Sequence, residues 1–242
     1  SLDSINKIFY ISLESYDFLH DFYKIPDSKL EFLPLGGVLY EGNEYKKRRK
    51  KIRKKLLLED NEILIVHSGK MDINKRTYEL LVAFSNIKSE CFKLVLIGSI
   101  PAEMKDIIYP LIEKDTRVKY LGWKSSDELI EYLFAADLYA QPGSQSATMQ
   151  NAICCGCPVI LYPHKSHKMY LKGNGFYAKS TEEIIKALNK IKENQELLDV
   201  MRRESYKVAH ELLDYRKLAA RLYNWDENYL MEGVFYEAKT FE

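Results

Sequence analysis

The sequence holds no run of about 18 apolar residues, the length a membrane-spanning helix needs, so none is predicted. Cysteine is scarce: four in 242 residues, three of them crowded at Cys154, Cys155 and Cys157. That crowding does not match the spaced framework of a disulfide-stapled domain and fits a reducing, cytoplasmic setting. The first residues, Ser1-Leu2-Asp3-Ser4, show no basic region followed by an apolar stretch, and no signal peptide is predicted. Glycine motifs are missing too. There is no G-x-G-x-x-G and no P-loop spacing before a Gly-Lys-Ser/Thr, which argues against the common dinucleotide fingerprint and the Walker-type phosphate loop. Internal repeats are absent, and the one low-complexity tract is a basic decade at residues 46–55.

What is present is ample core material: 46% hydrophobic residues with 18 Tyr, 10 Phe and 2 Trp, which excludes a disordered chain. At roughly 100–200 residues per domain, the length predicts one large domain, or one with an attached piece. The basic decade reads KKRRKKIRKK, nine cations in ten residues. Set against a net charge of +1, it leaves the rest of the chain acidic. A local patch of this kind does not describe a nucleic-acid-binding protein, and only Tyr45 stands beside it to stack on a base. Two readings stay open: a surface for anionic lipid, or a solvated helical face.

From residue 62 onward short apolar runs alternate with amphipathic stretches of helical length. Strands are predicted at Ile63-Leu64-Ile65-Val66-His67, Phe92 to Ile97, Val118 to Leu121, Asp137 to Gln141 and Pro158 to Tyr162. Helices are predicted at about 75–87, through Met104, Ile107, Ile108 and Leu111, after a cap at Ser126-Asp127-Glu128, at 146–155, from Thr181, at about 195–213 and at 215–231. Strands rich in Val, Ile and Leu that alternate with helices predict an α/β protein with a doubly wound, Rossmann-like parallel sheet. In such a sheet the ligand lies beyond the carboxyl ends of the strands.

Those ends direct attention to particular loops. After the first strand, Ser68-Gly69-Lys70-Met71-Asp72-Ile73-Asn74-Lys75 puts two cations five residues apart on a turn feeding a helix. They could clamp a diphosphate with help from backbone N–H groups, or be two solvated lysines. After the fourth strand, Pro142-Gly143-Ser144-Gln145-Ser146-Ala147-Thr148 is small and hydroxyl-rich, and Asn151 is the next polar position considered. It fits either a phosphate loop or a plain N-cap through Ser144 or Ser146. Trp123 and Lys124 follow the third strand; a Trp there can stack on a base, though such residues are more often core. His164, Lys165, His167 and Lys168 form a polar loop after the fifth strand, either a cleft wall or solvated surface. With Cys154 and Cys157 the histidines look superficially like a zinc set, but the spacing fits no standard finger and no metal site is predicted.

Taken together these segments resemble the carboxyl-terminal, donor-binding half of GT-B glycosyltransferases, specifically the retaining glycosyl transferases group 1 (family four). Gly69 to Arg76 is similar to that family's Gly-Arg-Leu-x3-Lys-Gly, and Ile97-Gly98-Ser99-Ile100-Pro101 to its glycine-proline turn. Val118 to Gly122, Ser126 to Leu129 and Ala136-Asp137 follow its strand, capped helix and Ala-Asp. Asn151-Ala152-Ile153-Cys154-Cys155-Gly156-Cys157-Pro158-Val159 is similar to its Glu-Ala-Met-Ala-x-Gly-x-Pro-Val, which puts the cysteines at an ordinary helix end. Upstream, Ile5 to Gly37 looks like the segment leaving an amino-terminal domain through a Pro-x-Gly linker.

The departures lie at the acids. The family's Glu-x7-Glu would place its glutamates near Gly143 and at Asn151, and neither is present. The shortened loop from Pro142 looks more like the Ser- and Gly-rich loop of UDP-N-acetylglucosamine 2-epimerases. The resemblance implies four segments: 1–38 from an amino-terminal domain and linker, 39–60 a basic helical piece, 61–213 the donor-binding domain, and 214–242 a crossover helix. It implies a metal-independent, hexosyltransferase-like enzyme, inactive as this piece alone, with no cofactor and a nucleotide sugar as substrate. Lys70 and Lys75 would be the catalytic cations. Gly69, Trp123, Lys124, Ser144, Ser146, Thr148 and Asn151 would hold the donor. The implied partners are a nucleoside-diphosphate sugar, an acceptor glycan or lipid, and an anionic inner membrane face through residues 46–55, with no nucleic acid. A non-catalytic binding module and an epimerase-like enzyme are the alternatives.

Overall fold

A computed structural model describes residues 4–40 and 42–223. Six strands form one parallel sheet: β3 (Ile63–Lys70), β4 (Phe92–Ser99), β5 (Val118–Tyr120), β6 (Leu138–Gln141), β7 (Val159–Leu161) and β8 (Gly175–Tyr177). Between them run α3 (Thr77–Asn86), α4 (Ala102–Lys114), α5 (Ser126–Ala135), α6 (Ala147–Cys154) and the short α7 (His167–Tyr170). The strand order is β5-β4-β3-β6-β7-β8, the doubly wound order predicted from the alternation. It reverses between β3 and β6, so the ligand crevice of this architecture lies beyond the carboxyl ends of those two strands.

Both faces of the sheet are covered. Along β3, Leu64 and Val66 point into one apolar cluster and Ile63 and Ile65 into the other, the period-two alternation of a fully buried strand. α8 (Thr181–Glu193) and α9 (Glu196–Val208) complete the layers, and α10 (Tyr215–Tyr223) follows a π turn at Ala209–Leu213. The predicted terminal helix continues into residues 224–231, which lie outside the described residues. β8 is not predicted by the apolar pattern: three half-exposed residues at a sheet edge carry no such signal. The cap of α5 is Ser125, one residue before the predicted start, in a capping box with Glu128.

Before the sheet, β1 (Ile8–Tyr10) and β2 (Leu30–Phe32) form a separate two-stranded parallel pair, with α1 (Leu13–Asp17) between them. The chain then passes Gly36 and Gly37, where the Gly37 N–H donates to the Leu213 carbonyl at 2.9 Å. It enters α2 (Gly42–Lys55) beyond that point.

α2 corrects the reading of the basic decade as a uniformly solvated face. Its arginines turn inward and its lysines outward. Arg49 donates to the Ala135 and Ala136 carbonyls at the end of α5, at 2.7 and 2.9 Å, and pairs with Asp137. Arg53 reaches the same carboxylate at 2.9 Å and the Glu59 and Glu62 carbonyls. Arg48 spans Glu44 and Glu131. A planar guanidinium can satisfy several carbonyls at once, which an ammonium cannot. Lys46, Lys47, Lys50, Lys51, Lys54 and Lys55 are all exposed, and none has an ion pair among the described residues.

Candidate functional site

The site begins with the exit of β3. Gly69 has φ +123° and faces Gly98 on β4, whose φ is +138°; a Cβ on Gly98 would run into the Gly69 carbonyl. Only glycine permits this approach. The chain then makes a single 3-10 turn at Ile73–Lys75, capped by Asp72, whose carboxylate accepts from the Asn74 and Lys75 N–H groups at 3.1 and 3.2 Å. Arg76 follows in the left-handed region and starts α3, two residues later than predicted.

This turn folds Lys75 back onto Gly69. The side chain is only 4% exposed, and a Cβ on Gly69 would lie 2.7 Å from its Cε and 3.1 Å from its Nζ. No ion pair to its ammonium exists among the described residues. Burial lowers its pKa, and the Asp72 charge acts in the opposite sense. Lys70, the last residue of β3, is exposed. Of the two candidate cations, the fold turns one into the crevice and leaves the other at its rim.

The loop after β6 closes against this turn. Gly143 packs on the Asn74 and Lys75 backbone with no room for a side chain, and the Ser144 N–H donates to the Asn74 carbonyl at 2.8 Å. Below it, buried Tyr139 pairs with Ser68 Oγ at 3.0 Å and donates to Gln141 Oε1 at 3.2 Å, while Gln141 Nε2 donates to the Ser144 carbonyl. Burial pushes the Tyr139 phenol up to about 12, with the Ser68, Ser146 and Thr148 hydroxyls favouring the phenolate slightly. Ser146 is the N-cap of α6, accepting from the Thr148 N–H at 3.1 Å. Ser144 and Thr148 remain half-buried beside it.

His67 ties this scaffold together. Its Nδ1–H donates to the Ala140 carbonyl at 2.7 Å, leaving Nε2 to accept from the Thr77 hydroxyl at 2.8 Å. Burial holds it neutral, with a pKa down at about 4.

Other predicted positions are spread more widely. Asn151 lies against the linker, its Oδ1 2.7 Å from where a Cβ of Gly37 would be. Its neighbour Gln150, which sequence reading passed over, accepts from the Gly36 N–H at 2.8 Å. Trp123 is 74% exposed, so the core reading of that residue fails, and Lys124 sits 4.0 Å from Glu128. The three crowded cysteines are buried in the core, where burial raises every thiol.

An open cleft of 480 Å³ runs along the crevice, lined in part by Asn74, Arg76, Gly143, Ser144, Tyr162 and His164. Arg76 lies over the Tyr162 ring at 5.4 Å, and His164 Nε2–H donates to the Gly143 carbonyl at 3.1 Å. The polar loop after β7 is therefore a cleft wall. It also meets α1, which no local signal could show. The Ser166 hydroxyl donates to the Glu14 carboxylate, the Ser166 N–H donates to it at 3.2 Å, and Lys165 pairs with Asp17. Partial burial opposes ionisation of Glu14, yet the Ser166 bonds help bring its pKa down to about 2.

The sequence model described as "Glycosyl transferases group 1" matches residues 48–208. A search of curated protein sequences returned no match. Among solved structures, Anabaena HepE in complex with UDP and glucose superposes with a TM-score of 0.74 at 16% identity, covering 90% of this chain and 62% of that one. A Rickettsia africae glycosyltransferase gives 0.75 at 16% identity, covering 96% and 66%. WaaG, a glycosyltransferase involved in lipopolysaccharide biosynthesis, gives 0.71 at 18%, covering 89% and 62%. These likenesses show the GT-B type of fold, and the chain spans under two thirds of the length of HepE and WaaG.

Proposed function

The chain belongs to the glycosyl transferases group 1 family, and on that premise we propose that it is the donor-binding part of an enzyme moving sugar from a nucleotide sugar to a glycan or lipid acceptor. One observation carries the reading: Lys75 is a buried side chain whose ammonium has no ion pair among the described residues, at the switch point of a doubly wound sheet. Keeping such a charge out of water costs on the order of several kcal/mol, and a diphosphate would return that cost. HepE holds UDP in the same type of fold.

In transfer, the bond between the anomeric carbon and the diphosphate oxygen breaks, and negative charge collects on the leaving group. Lys75, fixed before reaction by Gly69 and the 73–75 turn, meets that charge without reorganising. The backbone and hydroxyls of Ser144, Ser146 and Thr148, at the start of α6, add donors. Lys70 adds charge from the rim. Trp123, exposed beyond β5, offers a stacking face for the nucleobase, with Lys124 beside it. Asn151, beside Gly37 of the linker, would hydrogen-bond the ribose. Residues 1–38 would belong with an amino-terminal domain that carries the acceptor site, 39–60 with the basic helix, 61–213 with donor binding, and 214–242 with the crossover.

No helix among the described residues is long and apolar enough to cross a membrane. The six exposed lysines of α2 support a peripheral contact with the anionic cytoplasmic leaflet, without nucleic acid as a partner. The direct test of the donor reading is titration of the chain with UDP, GDP, ADP and their hexose conjugates. One nucleoside diphosphate should bind, and Lys75→Ala should weaken it about 10- to 100-fold. Unchanged binding in Lys75→Ala would remove the reading.

A further inference from the structure

The loop from Gly143 to Ser146 carries no acid, but two acceptors stand at its side. Glu14, delivered by α1, receives the Ser166 N–H and hydroxyl and lies within hydrogen-bond reach of the Gln145 side chain. With its own backbone N–H these donors fill the roughly four lone-pair sites of an ionised carboxylate, so a ligand hydroxyl would take the place of one of them. His167 is fully buried, and its Nδ1–H donates to the Tyr162 carbonyl at 2.6 Å. Its Nε2 is therefore a bare lone pair, and it has no partner among the described residues. A buried acceptor without a donor is costly and asks for an occupant. The His167 ring is 5.1 Å from that of His164, which bonds the Gly143 carbonyl, and Gly143 in turn packs on the Lys75 backbone.

A buried lysine without an ion pair among the described residues, in the same crevice as an acceptor without a donor and a carboxylate whose donors a hydroxyl can replace, fits one ligand chemistry: a phosphate joined to a group rich in hydroxyls. We propose that Glu14 and His167 form the donor-sugar subsite, accepting hydrogen bonds from hydroxyls of the sugar whose diphosphate rests on Lys75. The proposal rests on the donor reading above and deepens it, because it makes the segment before the linker a part of donor selection. His167 Nε2 is sealed from solvent in the ligand-free chain, so the 164–166 loop yields as the sugar enters. The exposed Lys165–Asp17 pair that pins this loop to α1 is of the weak kind and does not prevent it.

The experiment is calorimetric titration of the full chain with UDP and with UDP-glucose, replaced by the GDP or ADP pair if uridine is not the base. Glu14→Gln keeps an acceptor for Ser166 and removes the charge. His167→Asn keeps the N–H toward Tyr162 and removes the Nε2 acceptor. Asp17→Asn loosens α1 without touching the subsite. Each subsite variant should weaken the sugar nucleotide about tenfold while the nucleoside diphosphate stays within about twofold. Parallel weakening of both ligands, shared by Asp17→Asn, would mean that Glu14 only docks α1, and would overturn the proposal. Unchanged binding of both ligands would overturn it too, assigning the Nε2 atom to an internal water. Should His167→Asn fail to fold, the half-exposed Glu14→Gln decides alone. If the unaltered chain binds no nucleoside diphosphate, the Lys75 reading has already failed.

Discussion

Lys75 lies along Gly69, with its Cε 2.7 Å from the point where a Cβ of that glycine would stand. The glycine is what gives the ammonium its buried berth, and its φ of +123° suits no other residue well. Gly69→Ala should therefore displace Lys75 and weaken nucleoside diphosphate binding about tenfold, as calorimetry would show, with the lysine itself intact. Retained affinity would mean that this contact does not set the position of the cation.

Lys75 should also reveal itself in the ligand-free chain. Replacing a buried, unpaired cation by an apolar side chain of similar length removes a desolvation cost. Lys75→Met is expected to raise the melting temperature by about 2–4 °C per kcal/mol recovered, while binding is lost. A scanning-calorimetry trace showing destabilisation would indicate an anion or water already satisfying the ammonium.

Acid should unfold the protein through its histidines. His67 and His167 both have folded pKa values depressed by burial to about 4, against 6.5 unfolded. The unfolded chain takes up protons first, so their contribution is complete above pH 6.5 and fades as pH falls toward 4. The loss approaches about 3 kcal/mol for each fully buried imidazole. Urea melts between pH 7 and 4 should show the slope, and His67→Gln should flatten it; an unchanged slope would assign the acid sensitivity elsewhere.

The two kinds of cation in α2 should separate cleanly. Asp137 accepts from Arg49, Arg53 and the Leu64 N–H, the last at 2.8 Å, with Arg202 at 3.6 Å. Asp137→Asn leaves buried guanidinium groups without their counter-charge and should cost about 3–5 kcal/mol in a denaturant melt.

Exchanging Lys50, Lys51 and Lys54 for Gln should leave stability within about 0.5 kcal/mol. It should reduce binding to vesicles containing phosphatidylserine, a binding that falls as salt is raised. Equal vesicle binding by the triple variant would return this face to plain solvation.

Much of the fold was legible because its signals are local. The apolar runs of β3 and β4, the Ser146 cap and the glycines at strand ends each follow from neighbours a few residues apart. The 73–75 turn was less legible, since Asp72 capping and the left-handed Arg76 delay α3 and turn Lys75 inward. The exposure of Trp123 and the bond from Gly36 to Gln150 were illegible for a related reason: the side of an element that faces a partner is fixed by the partner. β8 lacked the apolar run that identifies a buried strand.

By itself the sequence determined a doubly wound parallel sheet, the loops at its switch point and two candidate cations in one of them. Periodicity, turn residues and charge are properties of short stretches and survive without a third dimension. Only the tertiary structure decided that α2 divides its arginines from its lysines, and that Glu14 reaches Ser166 across 152 residues of chain. Contacts of that span exist only once the sheet has closed, because the closed sheet brings α1 and the 164–167 loop together.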